Sequence, residues 1–123
     1  MFHPDGGVTA VDWQTLGIGL AGRDLAYLIA TSVTPAVRRD VERRVVDEYH
    51  ARLVELVGTD LDPATTFDDY RYGLLQGPLI IVLGAAFGTP TPRGDAMFAA
   101  MTERVCAALR DHDTLSLVSG SQR

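Results

Sequence analysis

The sequence predicts a mainly α-helical domain that carries a small N-terminal β-hairpin. Three observations predict it. Apolar residues recur at three- and four-residue steps through most of the chain beyond residue 24. Two threonine–proline pairs, Thr34-Pro35 and Thr91-Pro92, open the long periodic runs, with proline placed at a first helical position. At the front, the turn residues Pro4-Asp5-Gly6-Gly7 join two short apolar runs, Phe2-His3 and residues 8–11.

The elements follow in order. The hairpin occupies residues 1–12 and delivers Asp12 at a strand end. Residues 15–22, with Gly17, Gly19 and Gly22, form a loop too rich in glycine for a regular element. Asp24 caps a short helix over 25–31, with Leu25, Leu28 and Ile29 on its buried side. The next helix runs from Thr34-Pro35 to about Val57 and stops at Gly58. Its stripe of Val37, Val41, Val45, Tyr49, Leu53 and Leu56 is expected to face the core. Thr66 caps a further helix over 66–87, kinked at Pro78 because proline lacks the amide proton a helix interior needs. The apolar run 79–87 within it reads as a buried helix. The last long helix runs from Thr91-Pro92 to near His112, with Met97, Met101, Val105 and Ala108 or Leu109 inward. Asp113 caps a final turn over 114–118, and residues 119–123 form a frayed tail. The domain is therefore expected to span residues 1–118.

Composition narrows the functional classes. The 123 residues suffice for one domain with a core, and 46% apolar with 22% charged residues is a globular balance. A net charge of −5 argues against nucleic acid or an anionic membrane as partner. The basic residues Arg38, Arg39, Arg43 and Arg44 interleave with Asp40, Glu42, Asp47 and Glu48, the pattern of a solvated helix face. A single cysteine, Cys106, excludes an intrachain disulfide and suits a reducing cytoplasm, the expected location. It is expected as a buried, inert thiol. No signal peptide is expected, and no apolar run is long enough to span a bilayer. The three histidines, His3, His50 and His112, lie too far apart to suggest a metal site by spacing.

Asp12 is the leading chemical candidate. A carboxylate fixed at a strand end is how phosphoryl-transfer enzymes hold a metal ion against phosphates. On the residues alone, a turn or capping aspartate explains it as well. The ordered set around it goes further: the hairpin, Asp12-Trp13-Gln14, the glycine loop, then Arg23-Asp24-Leu25-Ala26-Tyr27 opening a helix. In this the sequence resembles the aminoglycoside phosphotransferase and choline-kinase-like group, in particular its ecdysteroid-kinase-like branch. Later segments keep the order. Residues 47–53, Asp-Glu-Tyr-His-Ala-Arg-Leu, are similar to the group's Tyr-His-x-x-Leu helix. Asp69-Tyr70-Arg71-Tyr72-Gly73 is similar to its Tyr-Arg-x-Gly stretch. Residues 93–98, with Met101 and Arg104, resemble its last long helix.

The resemblance implies a partial protein-kinase-like fold, the C-terminal lobe only. It implies Mg²⁺ and ATP as cofactors of the intact protein and a small-molecule hydroxyl as phosphoryl acceptor. Asp12 matches the metal-binding aspartate, the counterpart of that in the Asp-Phe-Gly triplet of protein kinases, and so also touches the nucleotide through the metal. Asp24 matches an aspartate that braces the catalytic loop, although helix capping explains it equally. Asp68, Asp69, Tyr70 and Arg71 could face the acceptor pocket, although acidic residues at a helix start also suit its dipole.

Much of the group's machinery is missing. The sequence has no His-Gly-Asp-x-x-x-x-Asn loop and no nucleotide-covering glycine loop, and all 11 basic residues are arginine, so no phosphate-gripping lysine exists. The catalytic base is expected upstream of Met1, which reads as an internal methionine of a longer protein. The isolated chain is expected to be inactive and to bind neither ATP nor Mg²⁺. The competing expectations are a noncatalytic helical module, self-associating through an exposed lobe interface, and a degenerate gene fragment.

Overall fold

The computed structural model describes residues 3–11, 17–58 and 60–119. Six helices follow one another: α1 Arg23–Ser32, α2 Pro35–Val57, α3 Pro63–Gly73, α4 Gln76–Phe87, α5 Pro92–Asp111 and α6 Thr114–Ser119. The protein is thus mainly helical, as expected. The N-terminal turn forms as well. The His3 amide donates to the Gly7 carbonyl (2.8 Å), the Gly6 amide to the His3 carbonyl (3.1 Å), and Gly6 takes the left-handed φ of 84° that the turn requires. Among the described residues no strand forms, and Val8 makes only an isolated bridge. The hairpin expected over 1–12 is therefore not established. Met1, Phe2 and Asp12 lie outside the described residues, as does the tail beyond Ser119.

The two threonine–proline starts behave as read. Thr34 accepts from the Val37 amide and Thr91 from the Gly94 amide, each with proline in the first turn. Gly58 closes α2 in the left-handed conformation, its amide bonded to the Val54 carbonyl. Other boundaries differ. α1 starts at Arg23 with Gly22 before it, and Asp24 makes no capping bond but lies within the first turn. α3 starts earlier than Thr66, because Asp62 accepts from the Ala64 amide ahead of Pro63, a cap–proline pair of the same kind. Thr66 instead lies buried inside the helix, bonded to His50 Nδ1 at 2.8 Å.

The expected helix over 66–87 is two helices. The chain breaks at Leu74-Leu75, where turn bonds such as Leu75 amide to Tyr72 carbonyl (3.1 Å) replace the helical ladder. Pro78 then sits in the first turn of α4, where its missing N–H costs nothing, since the first four amides of a helix have no internal acceptor.

α1 is the central strut. It packs on α2, α3, α4 and α5, while α4 lies along α5 and α6 closes against α3 and α5. The core is Ala26, Ile29, Ala30, Val46, Tyr70, Leu74, Ile81, Val105 and Ala108. Its alanines bring helix axes close. Arg104 adds a polar tie from α5, donating to the final α1 carbonyls of Thr31 (2.7 Å) and Ser32 (3.2 Å).

One expected buried face is turned, and two others hold except at one residue each: Ile29 with Leu25 in α1, and Val105 and Ala108 with Met101 and Leu109 in α5, face the core as expected. In α2 the residues facing inward are Arg38, Glu42 and Val46, one position on from the apolar stripe, while Val37 and Leu56 are exposed. In α1 Leu28 is exposed, and in α5 so is Met97. The largest departure is α4. Only Gly77 and Ile81 are buried there, and Leu79, Val82, Leu83 and Phe87 face solvent, so this is not the buried helix expected. Cys106 is half-buried rather than enclosed. It lines a shallow apolar crevice of about 80 Å³ between α4 and α5, with Pro78, Ile81, Val82, Thr102 and Val105.

Candidate functional site

The segment 17–22 leaves the Asp12 region and enters α1. Its end is held by backbone-to-backbone contact. A Cβ built on Gly22 would lie 2.5 Å from the Tyr70 backbone nitrogen, and one on Gly73 would lie 2.8 Å from the Arg23 Cα. Only glycine permits this approach of α1 to α3. Tyr49 of α2 completes the anchor, its hydroxyl donating to the Ala21 carbonyl at 2.5 Å. Burial, reinforced by the nearby negative charges of Asp24 and Asp69, pushes the Tyr49 phenol above its ordinary pKa, so it stays a donor. Three helices therefore fix the point at which the chain returns from Asp12, whose own position lies outside the described residues.

Asp24 projects from this anchor. Its side chain is 94% exposed and, among the described residues, pairs with Arg23 at 3.8 Å. That leaves its carboxylate oxygens open to further hydrogen bonds.

The stretch 68–71 does not act as one surface. Asp68 is exposed and pairs with Arg71 at 3.0 Å. Asp69 is half-buried. Arg71 also donates to the His112 carbonyl at 2.8 Å, closing the C-terminus of α5. Tyr70 is fully buried, with its hydroxyl donating to Glu42 Oε2 at 3.1 Å.

Tyr70 leads to a polar cluster at the junction of α2, α3 and the end of α5. Arg38, whose side chain is 1% exposed, donates to Glu42 on one side and to Asp111 on the other. Arg39 grips the same Asp111 with Nε at 2.8 Å and Nη2 at 3.2 Å. His112 Nε2 lies 3.0 Å from Glu42 Oε2 and 3.3 Å from Arg38. A carboxylate and a guanidinium compete for that nitrogen. The nearer Glu42 only accepts, so Nε2 carries the proton and donates to it. Phe67, Tyr70 and His112 close the cluster as a ring triad with centroids 5.7–6.0 Å apart, and Arg43 covers Phe67 at 4.7 Å.

Charge balance explains how this cluster tolerates burial. Two arginines face two carboxylates, and nearly every charged oxygen has a donor. Burial pushes the Glu42 carboxyl up, but hydrogen bonds from His112 and Arg38 outweigh it and hold the group below its ordinary value. The Arg39 hydrogen bond, joined by Arg38, keeps Asp111 low as well. Burial and the Glu42 charge drive the Tyr70 phenol strongly upward. The charged run over 38–48 is thus not one solvated face, because two of its members are core residues. The i,i+4 spacing of Arg38 and Glu42 was the available signal. Their partners Asp111 and His112, 73 and 70 positions away, could not be read from it.

Among the described residues no three His, Cys, Asp or Glu side chains gather around a point that could hold a metal ion. The described residues do not by themselves fit an Mg²⁺–nucleotide site. No helix among them is long and apolar enough to cross a membrane.

The geometry defines a helical bundle that anchors the end of one loop and carries a polar corner, buried at Arg38, Glu42 and Tyr70 and open to solvent at Arg39 and Asp111. Residues 2–59 match the family model of the ecdysteroid kinase-like family. The matched stretch takes in Asp12, Asp24 and the Tyr49 anchor and ends as α2 closes. No curated protein and no solved structure matches the chain.

Proposed function

We propose that the chain is the C-terminal part of a small-molecule kinase that moves the γ-phosphoryl group of ATP to a substrate hydroxyl. The observation that carries this is the kinase-like family match over residues 2–59, which spans the Asp12 motif and the anchored loop behind it. In this reading Asp12 is the Mg²⁺ ligand. Asp24, open to solvent, braces the catalytic loop, and the bundle is the rigid base that holds both. The chain alone is inactive, since its sequence has neither lysine nor a His-Gly-Asp loop to supply a phosphate clamp and a base.

The test has two arms. Reading the genomic frame upstream of Met1 should show a His-Gly-Asp loop that ends in asparagine just ahead of it. A stop codon there would sink the proposal. At the bench, Mg²⁺–ATP titrated into the purified chain should show no saturation below about 1 mM. Clear saturation would overturn the claim that the isolated chain is incomplete.

A further inference from the structure

Helix α4 is built inside out. Its residues 79, 82, 83, 86 and 87 follow the i, i+3, i+4, i+7, i+8 spacing of a packing face, yet every one of them is exposed. Leu79 is 65%, Val82 64%, Leu83 56% and Phe87 85% exposed. The small residues point the other way. A Cβ on Gly77 would lie 2.8 Å from Val105, and one on Gly84 would lie 2.8 Å from Phe98. The helix therefore turns Gly77, Gly84 and Ile81 toward its neighbours and presents Leu79, Val82, Leu83 and Phe87 outward. Apart from Gln76 it has no polar side chain, so the outer face offers no hydrogen bond or charge to a partner.

We propose that this face is the interface of a homodimer, with α4 packed against α4 of a second copy. Two arguments select a second copy. The four large side chains expose an apolar area on the order of 500 Å². Doubled about a twofold axis this becomes on the order of 1,000 Å², the size at which a specific if weak interface becomes stable. In addition, the face is chemically uniform, so it is complementary to itself, as an isologous contact requires. A charged or hydrogen-bonding partner would find nothing here to recognise. The inference does not depend on phosphoryl transfer.

Sedimentation equilibrium of the full chain from about 1 to 100 µM tests it. The wild-type mass should rise with concentration from 13.3 kDa toward twice that value. Leu83→Glu and, separately, Phe87→Glu should each weaken the dimer by at least about 100-fold, since a twofold axis places both introduced charges in the contact. Far-UV circular dichroism confirms that helix content is kept, and Phe87, the last residue of α4, is the safer of the two for folding. Val37→Glu, exposed on α2, should leave the dimer intact. A monomer at about 100 µM overturns the proposal. A dimer that survives both α4 substitutions also overturns it, because the contact then lies elsewhere.

Discussion

The corner where α2 meets α3 and α5 and the outer face of α4 are opposites, and both invert the usual pattern. The corner buries Arg38 and Glu42 among rings, while the face exposes Leu79, Val82, Leu83 and Phe87. In the corner, burial is tolerated because charges are balanced across three elements, although the buried Arg38 Nε has no hydrogen-bond partner among the described residues. On the face, exposure persists because the inner side of α4 is taken up by Ile81 in the core and by the close approach to α5 at Gly77 and Gly84, which leaves Leu79, Val82, Leu83 and Phe87 on the other side. Polarity alone did not decide which residues went inside. What each side chain could meet there decided it.

Breaking the corner should have the largest effect. Arg38→Met leaves Glu42 and Asp111 without their shared cation and should cost about 3–5 kcal/mol in urea unfolding. A loss under about 1 kcal/mol would mean that the corner is solvated after all. On the inner side of α4, Gly77→Val pushes into Val105 and should cost about 1–3 kcal/mol by separating α4 from α5. An unchanged unfolding midpoint would show that the close approach is not needed.

Acid sharpens the comparison further. The folded pKa of Glu42 lies below its ordinary 4.5. The stability it contributes is therefore complete above that pH and is lost as the pH falls through the folded value. The wild-type unfolding midpoint should decline below about pH 4.5, and Glu42→Gln should be less stable near neutrality but nearly converge with wild type in strong acid. Parallel curves for the two proteins would remove Glu42 from the account. The smallest effect belongs to the outer face. Leu79→Lys, measured at dilution where the chain is monomeric, should shift stability by no more than about 0.5 kcal/mol.

Helix positions were legible wherever a local rule was strong. Thr34-Pro35, Gly58 and Thr91-Pro92 set boundaries through bonds made within a few residues of themselves. Asp24 and Thr66 misled because the same residue types serve as caps or as ordinary helical residues. Gly22 and Asp62-Pro63 took the starts instead. The turn at residues 3–7 was legible for the same local reason, through Asp5, whose side chain accepts from the Gly7 amide at 3.0 Å. At the candidate site, the order of motifs from Asp12 to Arg104 carried the family resemblance; the match over residues 2–59 agrees with its front part and does not reach the segments 69–73 and 93–104. The anchor that holds the loop was not legible, since Tyr49 and Ala21 are 28 positions apart.

By itself the sequence determined the helical class, the main caps and the kinase-like motif order, because each depends on neighbours along the chain. The inner faces of α1 and α5 were legible too, at Ile29, Val105 and Ala108, but only the tertiary structure decided which face of α2 and of α4 is inside. In α2 the buried row of Arg38, Glu42 and Val46 is far more polar than the Val37, Val41 and Val45 row beside it. The choice between them depends on partners such as Asp111 and His112, brought by distant segments. So Tyr70, expected at a pocket, became the sealed centre of a charged corner, and the most apolar helix came to face solvent.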